Sequence, residues 1–233
     1  METYLNLNIM INICLLVHRR HYRLPEICRQ LREQTYQDFK LNIWNNSPDK
    51  YCDIRNLGKK RANIINALGG NQGSCARFKL AKQTGGNPII FIDDDLELEK
   101  DFIEYLFKMY NKYGGILSWW SKAFKSENYH NANCLLPEGQ RVDYLGTGGM
   151  ILDRWIIDNE ESLQNIPKHY SRAEDLYLSA IARIKYKMEL RSLDAKCSIV
   201  EDPYDQHRVL KKYKQKAFKQ LRKEGWGLLK DKV

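Results

Sequence analysis

Long unbroken apolar runs are missing from this sequence. Near the amino terminus Leu5, Leu7, Ile9 and Met10 are interrupted by Asn6, Asn8 and Asn12. A membrane span needs about 20 consecutive apolar residues, and a secretory leader needs an unbroken apolar core behind a basic start. Neither pattern occurs, so a soluble, cytoplasmic protein is expected. Closely spaced cysteine pairs are missing too. Cys14, Cys28, Cys52, Cys75, Cys134 and Cys197 are scattered, a spacing that builds neither a zinc cage nor the disulfide framework of a small secreted domain. Free thiols in a reducing compartment are expected. The chain carries no GxxxxGK[ST] or GxGxxG string, no internal repeat and no low-complexity linker. Its 233 residues suffice for one sizeable domain, and one domain over 1–233 is expected.

Basic charge is what the sequence has in excess. Lys and Arg number 38 against 29 Asp and Glu, for a net charge of +9. That surplus points to an anionic partner, and nucleic acid, a membrane surface and a phosphorylated substrate all qualify. The hydrophobic content of 43% and aromatic content of 11% are those of a chain with a real core.

The front half alternates short apolar runs with helical periodicity. Ile11–Val17 reads as a buried strand. Pro25 stands where a first helical turn tolerates it, and Leu24, Ile27, Cys28 and Leu31 follow as one stripe. Leu41–Trp44 reads as a second strand, stopped by the turn-forming Asn45-Asn46-Ser47-Pro48-Asp49. Ala62–Leu68 is a third strand, Gly69, Gly70 and Gly73 mark a loop, and Ser74–Gln83 resumes as a helix. Pro88–Ile92 is a wholly apolar strand ending in Asp93-Asp94-Asp95, before a helix with Phe102, Ile103, Leu106, Phe107 and Tyr110 on its inner face. This alternation predicts an α/β fold with a mostly parallel sheet. Ligands of such sheets bind beyond the carboxyl ends of the strands, where the polar clusters at 18–23, 45–49 and 93–95 all fall. The rear half is less regular. Strands are predicted at Ile116–Trp120, Val142–Leu145 and Met150–Leu152, with Gly146–Gly149 as a flexible link. A helix is predicted from about Ala173, and a basic helix or tail from about Asp205.

Three aspartates after a buried strand are costly unless a cation or hydrogen-bond donors neutralise them. Their hard oxygens suit Mg²⁺ or Mn²⁺, and the bland alternative is an acidic helix start. An EF-hand beginning at Asp93 would want glycine where Leu98 stands. A phosphatase of the haloacid-dehalogenase type would carry its acidic pair near the chain start, with Thr or Val where Glu97 stands. A second acidic pair, Glu174-Asp175, lies well downstream of the triplet, and an acidic helix start would explain it equally when taken alone.

In this order the segments resemble the glycosyltransferases of GT-A fold, especially the family-2-like group, over about Ile11 to His207. Ile13-Cys14-Leu15-Leu16-Val17-His18-Arg19-Arg20 is similar to the family's first strand and nucleotide-contacting loop, which places Val17 and Arg19 at the donor. Asn45 and Asn46 stand in the turn after the second strand, and Arg77 in a segment similar to N-x-G-x-x-x-R. Phe91-Ile92-Asp93-Asp94-Asp95 resembles the DXD motif, Gly146-Thr147-Gly148-Gly149-Met150 the acceptor-side glycine segment, and Glu174-Asp175 the ED motif.

The resemblance implies a Rossmann-like sheet flanked by helices, with a nucleotide-binding half at about 9–112, an acceptor half at about 113–204 and the basic segment at about 205–233. It also implies a cofactor, Mn²⁺ or Mg²⁺, held by Asp95, Asp93 and His207. Asp93 and Asp94 would lie on the donor, and Arg208 could close over its diphosphate. Asp175 would be the general base and Glu174 would orient the acceptor, giving inversion by one in-line displacement. Trp119, Trp120, Gly148 and Gly149 would border the acceptor. The implied partners are a nucleotide-diphosphate sugar, a UDP-sugar by default, and a hydroxyl acceptor such as a glycan, with no specific nucleic acid. Where many relatives carry an acid toward the nucleobase, Asn45 stands here.

Two alternatives stay open. A sugar nucleotidylyltransferase shares a related architecture, but its glycine- and arginine-rich N-terminal loop is missing around 17–24. A basic binder of nucleic acid or membrane surface would use Lys211, Lys212, Lys214, Lys216, Lys219, Arg222 and Lys223, interleaved with Tyr213, Phe218 and Trp226. Peripheral membrane contact through this segment is expected as an accessory at most.

Overall fold

Apolar residues on both faces of Ile11–Val17 make it a central strand, because a parallel strand covered on either side has no polar face to offer solvent. In the computed structural model, which describes residues 10–58, 61–204 and 207–232 (backbone only at 207, 208 and 232), this strand is β1. The elements that follow are α1 (Leu24–Arg32), β2 (Phe39–Asn45), β3 (Ala62–Asn66), α2 (Ala76–Gln83), β4 (Ile89–Asp93), β5 (Leu96–Leu98) and α3 (Phe102–Tyr113). The rear half adds β6 (Ile116–Ser118), β7 (Ser121–Phe124), β8 (Ala132–Cys134), β9 (Tyr144–Leu145), β10 (Met150–Leu152) and α4 (Arg154–Asn159). It ends with α5 (Glu174–Ile184), β11 (Leu190–Ser192), β12 (Cys197–Ile199) and α6 (His207–Lys223).

Seven strands form the main sheet in the order β11-β6-β10-β4-β1-β2-β3. β1 runs parallel to β2 and β4, and β2 to β3, while β10 is antiparallel to both its neighbours. The mostly parallel sheet expected from the sequence is therefore present, with one reversed strand. Side-chain alternation divides the core into two layers. Ile11, Ile13, Leu15 and Val17 pack with Leu24, Ile27, Cys28 and Leu31 of α1 and with Phe102, Ile103, Leu106 and Met109 of α3. Cys14, Ile89 and Phe91 face the other layer, made by α2, α5 and α6.

Several elements depart from the sequence expectation. The third strand stops at Asn66, and Leu68 is left exposed in the following turn. On α3, Phe102, Ile103 and Leu106 are buried as expected, but Met109 is buried whereas Phe107 and Tyr110 are half-buried, so the apolar stripe is turned slightly toward Met109. The strand expected over Ile116–Trp120 ends at Ser118, where the chain bends into the small sheet β8-β7-β9. The strand expected over Val142–Leu145 narrows to Tyr144–Leu145. β5 was not expected at all; it pairs antiparallel with β12.

The basic C-terminal segment, expected as a helix or tail with an accessory role at most, is a helix that departs from expectation in its packing. Ala217, Phe218 and Leu221 on one face of α6 are buried, as are Trp226 and Leu228 just beyond it. Phe124 meets Phe218 with ring centroids 4.4 Å apart, and Asp143 accepts the Leu229 N–H at 2.7 Å. Full burial of each such large apolar side chain is worth about 1.5–3 kcal/mol, so α6 is an integral wall of the core. Its lysines Lys211, Lys212, Lys216, Lys219 and Lys223 are exposed. Among the described residues no helix is long and apolar enough to cross a membrane.

Candidate functional site

The strand ends deliver the polar residues together. β1, β2 and β4 lie side by side and parallel, so the loops after Val17, Asn45 and Asp93 open on one edge of the sheet. Val17 is buried, and its carbonyl accepts the Asn46 N–H at 2.7 Å, locking the first two loops together. The Ser47 hydroxyl donates to the His18 carbonyl at 2.6 Å, so it accepts from His18 Nδ1 at 3.0 Å. That leaves Nε2 as acceptor for the Asn71 amide at 3.3 Å. Burial and the neighbouring Arg19 hold the His18 pKa below its ordinary value, consistent with this neutral ring. Arg19 is exposed and lies over the Tyr204 ring.

Asn45 and Asn46 are spent on shaping these loops. The Asn45 carbonyl oxygen accepts from Ser47 N and lies 2.9 Å from His21 Nε2, while its amide donates to Lys50 O and Asn66 Oδ1. Asn46 accepts from Gln72 N and Trp44 Nε1. An open depression of about 410 Å³ lies at this edge, lined by Asn45, Pro48, Lys50, Tyr51, Ile64 and Asn66.

The aspartate triplet is divided between two arginines. Arg20 donates to Asp94 Oδ1 at 2.9 Å, lies 3.5 Å from Asp95 and grips Asp202 through Nε at 2.5 Å and a second nitrogen at 2.8 Å. Arg77 takes Asp93, at 3.0 Å. Burial raises the Asp94 pKa even against Arg20. Burial, then the negative charge of Asp93, push Asp95 up to about 7. Adjacent carboxylates that resist ionisation in this way are the donor set a divalent cation would relieve. Among the described residues no group of three His, Cys, Asp or Glu side chains forms a ready-made cage. Mg²⁺ and Mn²⁺ bound to a diphosphate need only one or two protein carboxylates, with phosphate and water completing the shell. Asp95 and Asp93, both partly accessible, fit that requirement. The side chains of His207 and Arg208, expected on the metal and the diphosphate, lie outside the described residues.

Arg77 also joins the two acidic motifs. Its side chain is almost fully buried beside Phe91, donates through Nε to Ser74 O at 3.1 Å, and lies 3.6 Å from Glu174. One guanidinium thus spans Asp93 at the end of β4 and Glu174 at the start of α5. Burial and the adjacent Asp175 raise the Glu174 pKa despite Arg77. Asp175 goes the other way. Burial raises its pKa, but Lys214 and Tyr144 more than offset this and hold the carboxyl below its ordinary value. Its Oδ2 accepts from Tyr144 at 2.5 Å and from Lys214 at 2.6 Å, and its Oδ1 from Leu176 N at 2.8 Å. Three of roughly four lone-pair positions are used.

Lys214, Tyr144, Arg20 and His18 are the residues whose importance the sequence reading missed. Lys214 did carry a signal: it stands three, four and seven residues before Ala217, Phe218 and Leu221, on the buried stripe of α6.

The glycine segment is packed rather than flexible. A Cβ on Gly148 would stand 2.7 Å from Asp93 Oδ2, so the glycine lets this loop lie against the Asp93 carboxylate without displacing it. Gly149 has φ +77, and a Cβ there would meet Trp119 Nε1 at 2.8 Å. Trp119 donates to Gly148 O at 2.8 Å and meets Trp120 edge to face. Both tryptophans are half-buried and brace this loop.

The sequence matches no family model and no curated protein. Solved structures do match. A structure of S. aureus TarS superposes with a TM-score of 0.59 at 15% identity, covering 93% of this chain and 42% of that one. TarS 1–349 in complex with UDP gives 0.59 at 15% identity, covering 93% of this chain and 70% of that one. TarS 1–349 with UDP-GlcNAc gives 0.59 at 13%, covering 84% and 60%. The chain thus spans less than half of TarS. At such identity the likeness is one of fold, and the α/β architecture of GT-A type is the one this chain has.

Proposed function

We propose that the chain is a glycosyltransferase that moves a sugar from a nucleotide diphosphate, a UDP-sugar by default, onto an acceptor hydroxyl, such as one on a glycan. The observation that carries this reading is Arg77 bridging Asp93 and Glu174, which brings the donor-side carboxylates and the base candidate into one charge cluster. The TarS complexes with UDP and UDP-GlcNAc, on the same fold, support the choice of donor.

Asp95 and Asp93, joined by His207, would hold Mn²⁺ or Mg²⁺. The ion would supply charge neutralisation for the diphosphate as leaving group. Asp94, paired with Arg20, fixes the loop that carries them. Val17, Arg19 and Asn46 line the donor loops, Asn45 shapes them, and Arg208 would serve the diphosphate.

Asp175 takes the proton of the acceptor hydroxyl on its remaining lone pair. Tyr144 and Lys214 keep it ionised and oriented, and Glu174 with Arg77 sets the start of the helix that carries it. One base facing a metal-neutralised leaving group suits a single in-line displacement, hence inversion. Gly148 and Gly149, braced by Trp119 and Trp120, form the acceptor-side floor.

Incubation with UDP-GlcNAc and other UDP-sugars plus Mn²⁺ tests this reading. Release of UDP with an inverted glycosidic product is expected. Pyrophosphate formed from a nucleoside triphosphate would replace it with the nucleotidylyltransferase reading.

A further inference from the structure

The acceptor side holds a buried cation that the proposed reaction does not use. Lys122 lies in β7, the middle strand of β8-β7-β9, directly opposite Tyr144 on β9 and Cys134 on β8. Directly opposed residues of antiparallel strands share a face. Lys122 is therefore a neighbour of Tyr144, whose hydroxyl binds Asp175. Lys122 is only 9% exposed, and its ammonium stands 3.8 Å from the centroid of the Tyr129 ring, itself 6.2 Å from that of Tyr144. Among the described residues its side chain makes no ion pair and no hydrogen bond.

An ammonium with so little access to water and only an aromatic face for company is poorly compensated. Asp175 does not supply the missing partner, because it is already paired with Lys214 at 2.6 Å. Burial lowers the Lys122 pKa, and Lys214 and Lys211 lower it further, against the pull of Cys134 and Asp175. Lys122 is thus an ammonium left without a carboxylate of its own among the described residues. A ligand anion is the natural counter-charge for this surplus.

Resting on the transfer reading above, we propose that Lys122 is the anchor of an oxyanion subsite beside Asp175, so that the acceptor carries a phosphoryl or carboxylate group next to the hydroxyl it offers. The surplus is local to the acceptor side, because the arginines of the donor side, Arg20 and Arg77, are both matched by carboxylates.

Glucose, glucose 6-phosphate and glucuronate distinguish the cases. Calorimetry with UDP and Mn²⁺ in excess, so that the donor side is filled, should show both charged sugars binding the wild type. Their affinity should fall about tenfold or more in Lys122→Met, the scale of one charge-assisted hydrogen bond, with recovery in Lys122→Arg. Unchanged affinity in Lys122→Met overturns the subsite. Should that variant not fold, inorganic phosphate titrated against glucose 6-phosphate on the wild type decides the matter: competition is expected, and its absence overturns the proposal.

Turnover gives a second readout. The charged-to-neutral ratio of kcat/KM with UDP-GlcNAc should exceed about ten in the wild type and collapse toward one in Lys122→Met. Equal use of neutral and charged acceptors by the wild type overturns the proposal, and the better of the two anions names the oxyanion. Absence of UDP release with every acceptor would instead sink the transfer reading, while the binding arm still decides the subsite.

Discussion

The two sides of the proposed site, donor and acceptor, are built on different plans. On the donor side, carboxylates at the end of a central strand are held by arginines, Arg20 on Asp94 and Asp202, and Arg77 on Asp93. On the acceptor side, the key carboxylate is held by a lysine and a tyrosine, delivered by a helix and a two-residue strand remote from it in sequence. The donor side is thus strand-end chemistry, local and repeated along one sheet edge. The acceptor side is assembled by packing.

The largest effect expected from breaking this contrast comes from Asp175→Asn. Transfer should fall about 10²–10⁴-fold, with donor affinity by calorimetry nearly intact. Near-normal turnover would remove Asp175 as the base. Arg77→Met strikes the link between the sides and leaves Asp93 and Glu174 without their shared cation. Its stability in urea should fall by about 3–5 kcal/mol, the cost of breaking a buried pair. Asp95→Ala acts on the donor side alone. UDP binding in Mn²⁺ should weaken about 10–100-fold, while binding without metal stays the same. Equal loss in both conditions would place the ion elsewhere.

The smallest effects should appear in the pH profile. Asp175 has a folded pKa below its unfolded value of about 3.9. Its stabilising contribution is therefore complete above that value and is lost as pH falls toward the folded one. The acid limb of kcat/KM should accordingly lie below about pH 4 where Asp175 governs it. In Lys214→Met burial acts with less opposition, so the limb should move to higher pH, and in Tyr144→Phe it should move the same way by less. A limb unmoved by Lys214→Met would show that another group governs it.

Much of the donor side was legible in the sequence, because its signals are short-range. The apolar strand Ile11–Val17, the stripe of α1 and the run into Asp93-Asp94-Asp95 each declare themselves within a few residues. Arg20 was hidden because its partner Asp202 lies 182 positions away. Short strands such as β5 and β8 offer too few residues for a period to show. The glycines at 148 and 149 read as flexible because nothing local announces that Asp93 and Trp119 press against them. Asn45 read as a donor contact, and its four hydrogen bonds within the loops could be counted only once the turn was closed. The basic residues of α6 read as one solvated face, since composition does not separate Lys214 from its exposed neighbours.

α6 follows every strand in chain order, and Lys214 rides on its buried face. Until that helix docks, Asp175 lacks its counter-ion and Phe124 lacks its cover. The event that closes the hydrophobic interior therefore also gives the buried Asp175 carboxylate its counter-charge.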